Sequence, residues 1–269
     1  MATADVINEV KPSGFSFDNC RRNAALEKLG VTTPKPIKTG TTIIGVQFKD
    51  GVVVGADSRA TAGDLIADKH CLKLHPLTDN IYACGAGTAA DLQQVTRMLS
   101  SNLRLMEMNC ERKARLIAAV RIAKQHLFRY QGYVGSYLII GGVDFYGPGL
   151  FSVHAHGSSS KQNFLAEGSG SLPALGVMER QYKPDMTEEE AYDLVLQALI
   201  AGMHADLNSG NSYCISVITK AGLKEKRFQV PDFCQAAPMD LKYRFKPDST
   251  VVLKKKEIKF DVVEAMDVA

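Results

Sequence analysis

Hydrophobic and polar positions change their spacing several times along the chain, and these changes predict a succession of strands and helices. From residue 41, two β-branched runs, TTIIGVQF and VVVGAD, are separated by an Asp-Gly turn signal and predict a hairpin. Short strands are predicted at CLKLH and IYACGAG, around the turn LTDN. The strand period returns in SYLIIGGVDF, GLFSVHAH and NFLAEG, and once more in YCISVITK and EKRFQV.

Four stretches carry apolar residues at helical spacing, at residues 88–108, 112–130, 172–181 and 187–208. Thr88 with Asp91, and Thr187 with Glu190, are spaced as helix-capping pairs. Strands, two helices, strands, two helices and strands do not follow the strict alternation of a parallel sheet. The order predicts an α+β fold, a four-layer αββα sandwich of two antiparallel sheets flanked by helices.

The two ends of the chain differ from this regular middle. Residues 1–40 contain the breakers KPSGF and TTPKPIKTG and little periodicity, which is typical of a leader or arm rather than a packed element. The chain is broken again after Pro231, and residues 232–269 are interpreted as an arm that binds a neighbour. We therefore expect a leader at 1–40, a folded domain at 41–231 and an arm at 232–269.

Composition and charge narrow the functional classes. The 269 residues are 45% hydrophobic, which is enough for one sizeable core. Lys and Arg outnumber Asp and Glu by only 32 to 29, so neither nucleic acid nor a membrane is expected as a partner. The sequence has no signal-peptide pattern and no apolar run that would span a bilayer, so we expect it to stay inside the cell. Its six cysteines lack metal-binding spacing, and disulfides are not expected.

Several common catalytic motifs are missing from the sequence. In GSGSLP, Ser171 replaces the last glycine of a serine-hydrolase elbow, and Pro173 replaces the third glycine of a phosphate-binding loop. His154 and His156 would share one face of a strand and could grip a metal ion, but no third ligand is suitably spaced. Exposed strand histidines are the simpler interpretation, so no metal and no cofactor is expected.

The segment KTGTTIIG offers a different chemistry. If the Gly40–Thr41 bond is cut, Thr41 gains a free α-amine beside its own hydroxyl, with an unperturbed pKa of about 7.7–8.0. One residue then carries both nucleophile and base. Glycine before the bond would let the backbone bend so that the hydroxyl reaches the preceding carbonyl. The simpler alternative is a polar lead into a strand.

Two charged residues favour the chemical interpretation. Asp57 ends one strand with Arg59 on the same side, and Lys73 lies in the middle of the apolar strand CLKLH. Burying an unpaired ammonium is costly, so Lys73 requires a partner, which Asp57 could supply. A cation beside Thr41 would lower the pKa of its hydroxyl and of its amine. Alternatively, Lys73 is an ordinary edge-strand lysine.

Six motifs occur together in a fixed order: TTIIGV, GADSRAT, LKLH, CGAGTAAD, GSGS and ADLNSG. They resemble the catalytic beta subunits of the eukaryotic 20S proteasome. The segments GFSFDNCRRNA, FRYQGY, GGVD and HGSS are similar to the trypsin-like, beta type-7 class. The resemblance runs from about Gly14 to the C-terminus and implies the N-terminal nucleophile hydrolase fold.

The resemblance implies a role for each matching catalytic residue. Thr41 matches the nucleophile, which is exposed by autolysis after Gly40. Lys73 and Asp57 match the pair that activates it. Ser169 matches a serine near the nucleophile's amine, and Asp206 and Ser209 match two residues that complete its polar network. Gly87 matches the residue whose backbone N–H donates to the oxyanion.

The resemblance also implies how a substrate is held. Thr61, Gly87 and Ala89 match the family residues whose main-chain groups pair with an extended substrate peptide. A deep pocket for the residue before the cut has small residues at its floor and walls: Gly85, Ala60 and Cys71.

Four positions depart from the trypsin-like class, and one of them, Ser58 in place of a threonine, is expected to change little. Ala62 and Gln93 stand where that class usually has acidic residues near the pocket. We therefore expect cleavage after basic residues with a weaker preference than is typical. Asn208 stands where the class usually has glycine, in a loop beside the polar network.

The function that the resemblance implies is a threonine endopeptidase that hydrolyses unfolded polypeptides after basic residues. Its expected partners are other alpha and beta subunits in a four-ring core, and its expected location is the cytoplasm and nucleus. A diverged, inactive structural subunit and a stand-alone amidohydrolase of the same fold are the alternatives. Inactive beta subunits typically lack the threonine, the glycine before it or the lysine, and Gly40, Thr41 and Lys73 are all present here.

Overall fold

The computed structural model describes residues 18–31, 40–235 and 254–258, with side chains from residue 21 onward. The chain divides into two units, Met1–Cys234 and Gln235–Ala269. Much of the predicted leader and most of the predicted arm lie outside the described residues.

The first unit contains five helices and twelve strands among its described residues. The helices are α1 (Asp18–Lys28), α2 (Ala89–Cys110), α3 (Leu116–Arg129), α4 (Ser171–Gln181) and α5 (Glu188–Ala205). The strands are β1 (Thr42–Phe48), β2 (Gly51–Asp57), β3 (Ala60–Ala62), β4 (Leu65–Asp68), β5 (Leu74–Thr78), β6 (Ile81–Gly87), β7 (Ser136–Asp144), β8 (Gly147–Val153), β9 (Ser159–Lys161), β10 (Phe164–Gly168), β11 (Tyr213–Thr219) and β12 (Gly222–Gln229). A 3₁₀ turn follows at Asp232–Cys234.

Two antiparallel sheets of five strands form the centre of this unit. The first has the order β10-β1-β2-β11-β12, and the second has the order β5-β6-β7-β8-β9. Strands β3 and β4 form a separate hairpin. The predicted first hairpin is β1–β2, with Ile43 opposite Ala56 and Phe48 opposite Gly51.

Successive residues of β1 show why the sheets stack in layers. Ile43 packs between the two sheets, in a cluster that includes Val54 and Ile139. Its neighbour Ile44 points to the opposite face and packs in a cluster with residues of α4 and α5. This is the period-two alternation of a strand that is buried on both faces. The second sheet packs its outer face against α2 and α3, so the predicted α+β sandwich of four layers is confirmed.

The ends of the helices depend on tertiary contacts that the spacing of apolar residues does not predict. The capping box of Thr187 and Glu190 is confirmed at α5. Thr88 is the N-cap residue of α2 as predicted, but the predicted side-chain pairing is wrong, because Thr88 makes no side-chain cap bond and Asp91 Oδ2 instead accepts the Gly135 N–H at 2.8 Å. The start of α3 lies at Leu116 rather than at residue 112, since the preceding segment is a loop.

Helix α1 lies within residues 1–40, which the sequence predicts to be a leader or arm rather than a packed element. Its eleven residues include good helix formers, and Gly30, with φ of 80°, lies just beyond its end. The described side chains of α1 are nearly all exposed. Among the helices that the structure describes, none is both long and apolar enough to cross a membrane.

Candidate active site

Thr41 lies directly before β1 and is only 3% exposed. Strand β1 is paired on both sides, with β10 and with β2, and places Thr42 opposite Gly168. The Gly170 N–H donates to the Thr41 carbonyl oxygen at 3.3 Å. The residue predicted to be the nucleophile is therefore fixed by a central strand.

Lys73 and Asp57 meet at Thr41. Lys73 Nζ donates to Asp57 Oδ1 at 2.8 Å and to Thr41 Oγ1 at 3.0 Å. All three side chains are buried, so their contacts are weakly screened by solvent. The structure thus brings together Thr41, Asp57 and Lys73, the three residues that the sequence predicts to be the nucleophile and its activating pair.

The prediction that Lys73 lies within a strand is wrong. Strand β5 begins at Leu74, which pairs with Cys84, so Lys73 stands just before the ladder. Its carbonyl still accepts the Gly85 N–H at 3.2 Å. This bond to β6 fixes the backbone of Lys73 at the edge of the sheet.

Asp57 sits at the end of β2 with its carboxylate surrounded by donors. Besides Lys73, it accepts the backbone N–H groups of Thr42 at 2.9 Å, Gly210 at 3.1 Å and Arg59 at 3.2 Å. Burial raises the pKa of Asp57, while the Lys73 ammonium and the N–H groups of Thr42 and Gly210 oppose that rise. These donors compensate for much of the solvation that the carboxylate loses.

The carbonyl group of Gly40 lies against the same side chains. Thr41 Oγ1 donates to the Gly40 carbonyl oxygen at 2.6 Å, and Lys73 Nζ donates to it at 3.2 Å. A cation at a carbonyl oxygen stabilises the negative charge that develops when a nucleophile adds to the carbonyl carbon. The arrangement is therefore suited to attack by Thr41 on the bond that precedes it.

A second polar network holds the nitrogen of Thr41. Its N–H donates to Ser169 Oγ at 3.0 Å, and Ser169 Oγ donates to Asp206 Oδ2 at 2.5 Å. Ser209 Oγ donates to the same carboxylate oxygen at 2.7 Å and accepts a bond from Thr42 Oγ1 at 2.9 Å. The predicted set of Ser169, Asp206 and Ser209 is brought together, and Thr42 is an additional member that the sequence did not single out.

Arg59 positions the loop that carries part of this network. Its Nε donates to Asn211 Oδ1 at 2.6 Å, and its Nη1 donates to the Leu207 carbonyl at 2.7 Å. The loop thereby joins Asp206 and Ser209 to the end of β2. The only sequence signal for this role was the position of Arg59 two residues after Asp57.

The residues predicted to hold the substrate main chain have different surroundings. Thr61 lies in β3, and its Oγ1 accepts the Gly40 N–H at 3.3 Å, so its hydroxyl contacts the residue before the predicted cleavage point. Gly87 ends β6 with φ of 122°, and the Gly135 carbonyl oxygen occupies the place of a side chain. Ala89 is the first residue of α2. The role of the Gly87 N–H as an oxyanion donor stays a prediction.

The predicted pocket residues lie on β3, β6 and the segment before β5. Ala60 is in β3, and Cys71 is half-buried with its N–H donating to the Ser58 carbonyl at 3.0 Å. Burial raises the pKa of the Cys71 thiol, and Lys73 opposes this rise. At Gly85, a side chain would meet Leu92 Cδ2 of α2 at 2.7 Å. The space freed by this glycine is therefore partly occupied by Leu92.

Gln93 is exposed on α2 and lines a cavity of about 460 Å³. His75 and Arg97 also line this cavity, which has no acidic residue in its wall. Burial lowers the pKa of His75. The predicted pocket residues Ala60, Cys71 and Gly85 do not line this cavity.

The two candidate metal-binding histidines do not share a strand face. Strand β8 ends at Val153, and His154 and His156 follow in a turn, where the Gly157 N–H donates to the His154 carbonyl at 2.8 Å. His154 Nδ1 lies 3.8 Å from Glu167 Oε1. In residues 18–31, 40–235 and 254–258, no group of three His, Cys, Asp or Glu side chains could hold a metal ion.

Comparison with known proteins identifies the family. A sequence model of the family described as "Proteasome subunit" matches residues 37–218. The chain belongs to the proteasome subunit family.

Its relatives place it among the beta subunits. It is 47% identical over 262 residues to "Probable proteasome subunit beta type-2" of Schizosaccharomyces pombe, with 97% of each chain covered. It is 46% identical over 263 residues to "Proteasome subunit beta type-10" of Bos taurus, covering 95% of this chain and 96% of the relative. It is 50% identical over 218 residues to "Proteasome subunit beta type-7-A" of Arabidopsis thaliana, covering 81% and 80%. The type numbers differ at similar identity, so they do not assign this beta subunit to one type.

Proposed function

We propose that this beta subunit is a threonine endopeptidase whose nucleophile, Thr41, is formed by self-cleavage after Gly40. One observation carries the proposal: Thr41 Oγ1 contacts both Lys73 Nζ, at 3.0 Å, and the Gly40 carbonyl oxygen, at 2.6 Å. Hydroxyl, activating cation and scissile carbonyl are therefore in mutual contact.

Self-cleavage proceeds in two steps. The Thr41 oxygen adds to the Gly40 carbonyl carbon, the C–N bond breaks, and the hydroxyl proton passes to the Thr41 nitrogen, which leaves an ester between Gly40 and Thr41. Lys73 stabilises the negative charge on the carbonyl oxygen. Water then hydrolyses the ester, which releases the leader as a carboxylate and leaves Thr41 with a free α-amine.

Peptide hydrolysis uses the same groups. The new amine accepts the hydroxyl proton while the Thr41 oxygen adds to a substrate carbonyl. The proton then passes to the leaving amine, and water hydrolyses the acyl ester. Ser169 and Asp206, which already hold the Thr41 nitrogen through a chain of 3.0 and 2.5 Å bonds, orient the amine for this role.

The experiment that tests this function is Thr41→Ala. Residues 1–40 are expected to remain attached and the subunit's peptidase activity to be lost, as measured by intact mass and peptide hydrolysis in assembled particles. Thr41→Ser retains a hydroxyl and is expected to release the leader. Efficient loss of residues 1–40 from Thr41→Ala would contradict self-cleavage.

We further propose that the subunit cleaves unfolded polypeptides after basic residues, as a member of the trypsin-like, beta type-7 class. Relatives named beta type-7 in Arabidopsis thaliana and Dictyostelium discoideum, and the small residues Ala60, Cys71 and Gly85, support this class. Its partners would be other alpha and beta subunits of a four-ring core, and its location the cytoplasm and nucleus. Family membership favours such a subunit over a stand-alone amidohydrolase.

The strength of the basic preference is tested at Gln93. Gln93→Glu adds an acidic group to a wall that has none, and is expected to raise the ratio of kcat/KM for Arg over Leu substrates by up to about fivefold, the effect of a partly solvated ion pair. Gln94→Glu makes the same charge change on the next residue of α2, which does not line the cavity, and serves as the control. An unchanged ratio in Gln93→Glu would mean that charge selection comes from elsewhere.

An inactive structural subunit is the alternative function. It would retain the fold and assembly while its Thr41 site performs no hydrolysis. The intact contacts among Thr41, Lys73 and Asp57 favour the enzyme.

A further inference from the structure

Asn208 lies directly against Gly40, the residue at the proposed cut. A Cβ atom built on Gly40 would overlap Asn208 Cβ, and would lie 2.8 Å from Asn208 Cα and 2.9 Å from its carbonyl carbon. Carbon atoms that are not bonded do not pack this closely in protein interiors. Any side chain at position 40 would therefore displace one of the two residues.

The loop that carries Asn208 is held in place. The Asn208 N–H donates to Asp206 Oδ1 at 3.1 Å, and the Ser209 N–H donates to the Asp206 carbonyl at 3.1 Å. Arg59 fixes the Leu207 carbonyl at 2.7 Å. Displacing Asn208 would disturb the loop that contributes two residues to the network around the Thr41 nitrogen.

Gly40 is equally constrained on its own side. Its N–H donates to Thr61 Oγ1 at 3.3 Å, and its carbonyl accepts from Lys73 at 3.2 Å. The contact with Asn208 therefore adds to bonds that already hold the Gly40 backbone, and it excludes larger residues here.

We propose that Asn208 is a specificity-determining residue for self-cleavage, because its Cβ is the atom that overlaps most with a side chain at position 40. The inference rests on the proposed function and identifies the side chain that adds most to the exclusion of larger residues there. It predicts that a side chain at position 40 becomes less unfavourable when the Cβ at position 208 is removed.

The test is a set of variants in assembled particles, followed by intact mass over time. Gly40→Ala is expected to slow loss of residues 1–40 by about ten- to a hundredfold, the range that corresponds to the strain of an overpacked site. Adding Asn208→Gly removes the overlapping Cβ, and is expected to recover at least about tenfold of that loss. Recovery is expected to be incomplete, because the Asn208 Cα remains 2.8 Å from the added methyl group.

Asn208→Ala, combined with Gly40→Ala, is the matched control. It removes the carboxamide but keeps the Cβ, so it is expected to recover none of the loss. Rates are taken only from incorporated subunits, so that a folding defect does not enter the comparison. A normal rate for Gly40→Ala, or equal recovery with glycine and alanine at position 208, would overturn the role of the Asn208 Cβ.

The Thr41→Ala variant distinguishes a failure of this inference from a failure of the proposed function. Loss of residues 1–40 from that variant would contradict self-cleavage itself. Retention of the leader in Thr41→Ala, together with no recovery in the Gly40→Ala/Asn208→Gly variant, would contradict only the role assigned to Asn208.

Discussion

Lys73 joins three groups of the site through one ammonium, at 2.8 Å from Asp57, 3.0 Å from Thr41 Oγ1 and 3.2 Å from the Gly40 carbonyl oxygen. Lys73→Ala removes the cation from all three and leaves Asp57 buried without it. Turnover of a peptide substrate is expected to fall by about 10²–10⁴-fold, and residues 1–40 are expected to stay attached. Initial rates and intact mass measure the two effects.

Lys73→Arg tests whether charge alone is sufficient. A guanidinium is planar and larger than an ammonium, and its donors are fixed in a fork, so it is not expected to restore activity. Lys69→Ala, at an exposed lysine nearby in sequence, is the control and should change little. Nearly full activity in Lys73→Arg would make the lysine a structural residue only.

Single residues also show how far the sequence predicts the site. The pairing of Lys73 with Asp57 was predictable, because a lysine among apolar neighbours needs a counter-charge. The contact of Asn208 with Gly40 was not, since it depends on how a loop after α5 meets a segment before β1. The glycine itself was recognised from the freedom that it gives the backbone, and the structure adds that a Cβ atom there would overlap Asn208.

At the scale of elements, the cap of α5 allows a direct measurement. Thr187 Oγ1 accepts the Glu190 N–H at 3.3 Å, and the Thr187 N–H donates to Glu190 Oε2 at 2.9 Å. Thr187→Ala is therefore expected to lower the urea midpoint of the precursor chain. Thr88→Ala is the matched control, because Thr88 precedes α2 without a side-chain cap bond. Equal shifts in both variants would contradict a specific contribution from the capping box.

The same cap has a defined pH dependence. The backbone N–H of Thr187 and, after it, the Thr187 hydroxyl lower the pKa of Glu190 from its ordinary value of 4.5, and Thr187→Ala removes the hydroxyl bond, which is 3.2 Å long. A carboxylate with a lowered folded-state pKa contributes stability above its unfolded pKa and loses it as pH falls through the folded value. The difference in urea midpoint between wild type and Thr187→Ala is thus expected to shrink below about pH 4.5. A difference that stays constant from pH 7 to pH 3 would show that the carboxylate does not take part.

The type of each helix and strand was predicted better than the residues at which it begins and ends. The β-branched run of β1 and the helical spacing of α2 to α5 reflect burial that is encoded locally in the chain. The start of α3 and the cap of α2 depend on partners far away in sequence, such as the Gly135 N–H that occupies Asp91. Periodicity contains no information about such contacts.

At the scale of the whole molecule, the predicted arm at 232–269 is tested by truncation after Pro231. This change removes residues that lie largely outside the described part of the structure, and is expected to block incorporation into rings while the truncated chain stays soluble. Native gel analysis of assembled particles distinguishes the outcomes. Normal incorporation of the truncated chain would count against an arm that binds a neighbouring subunit.

The contact of Thr41 Oγ1 with the Gly40 carbonyl oxygen, at 2.6 Å, also bears on the kinetics of the proposed self-cleavage. Since the attacking and attacked groups belong to one chain, leader loss is expected to be a first-order process whose half-time does not change when the particles are diluted. Each subunit can release its leader only once. The molar amount of free leader therefore counts the nucleophiles that have formed, before any substrate has been added.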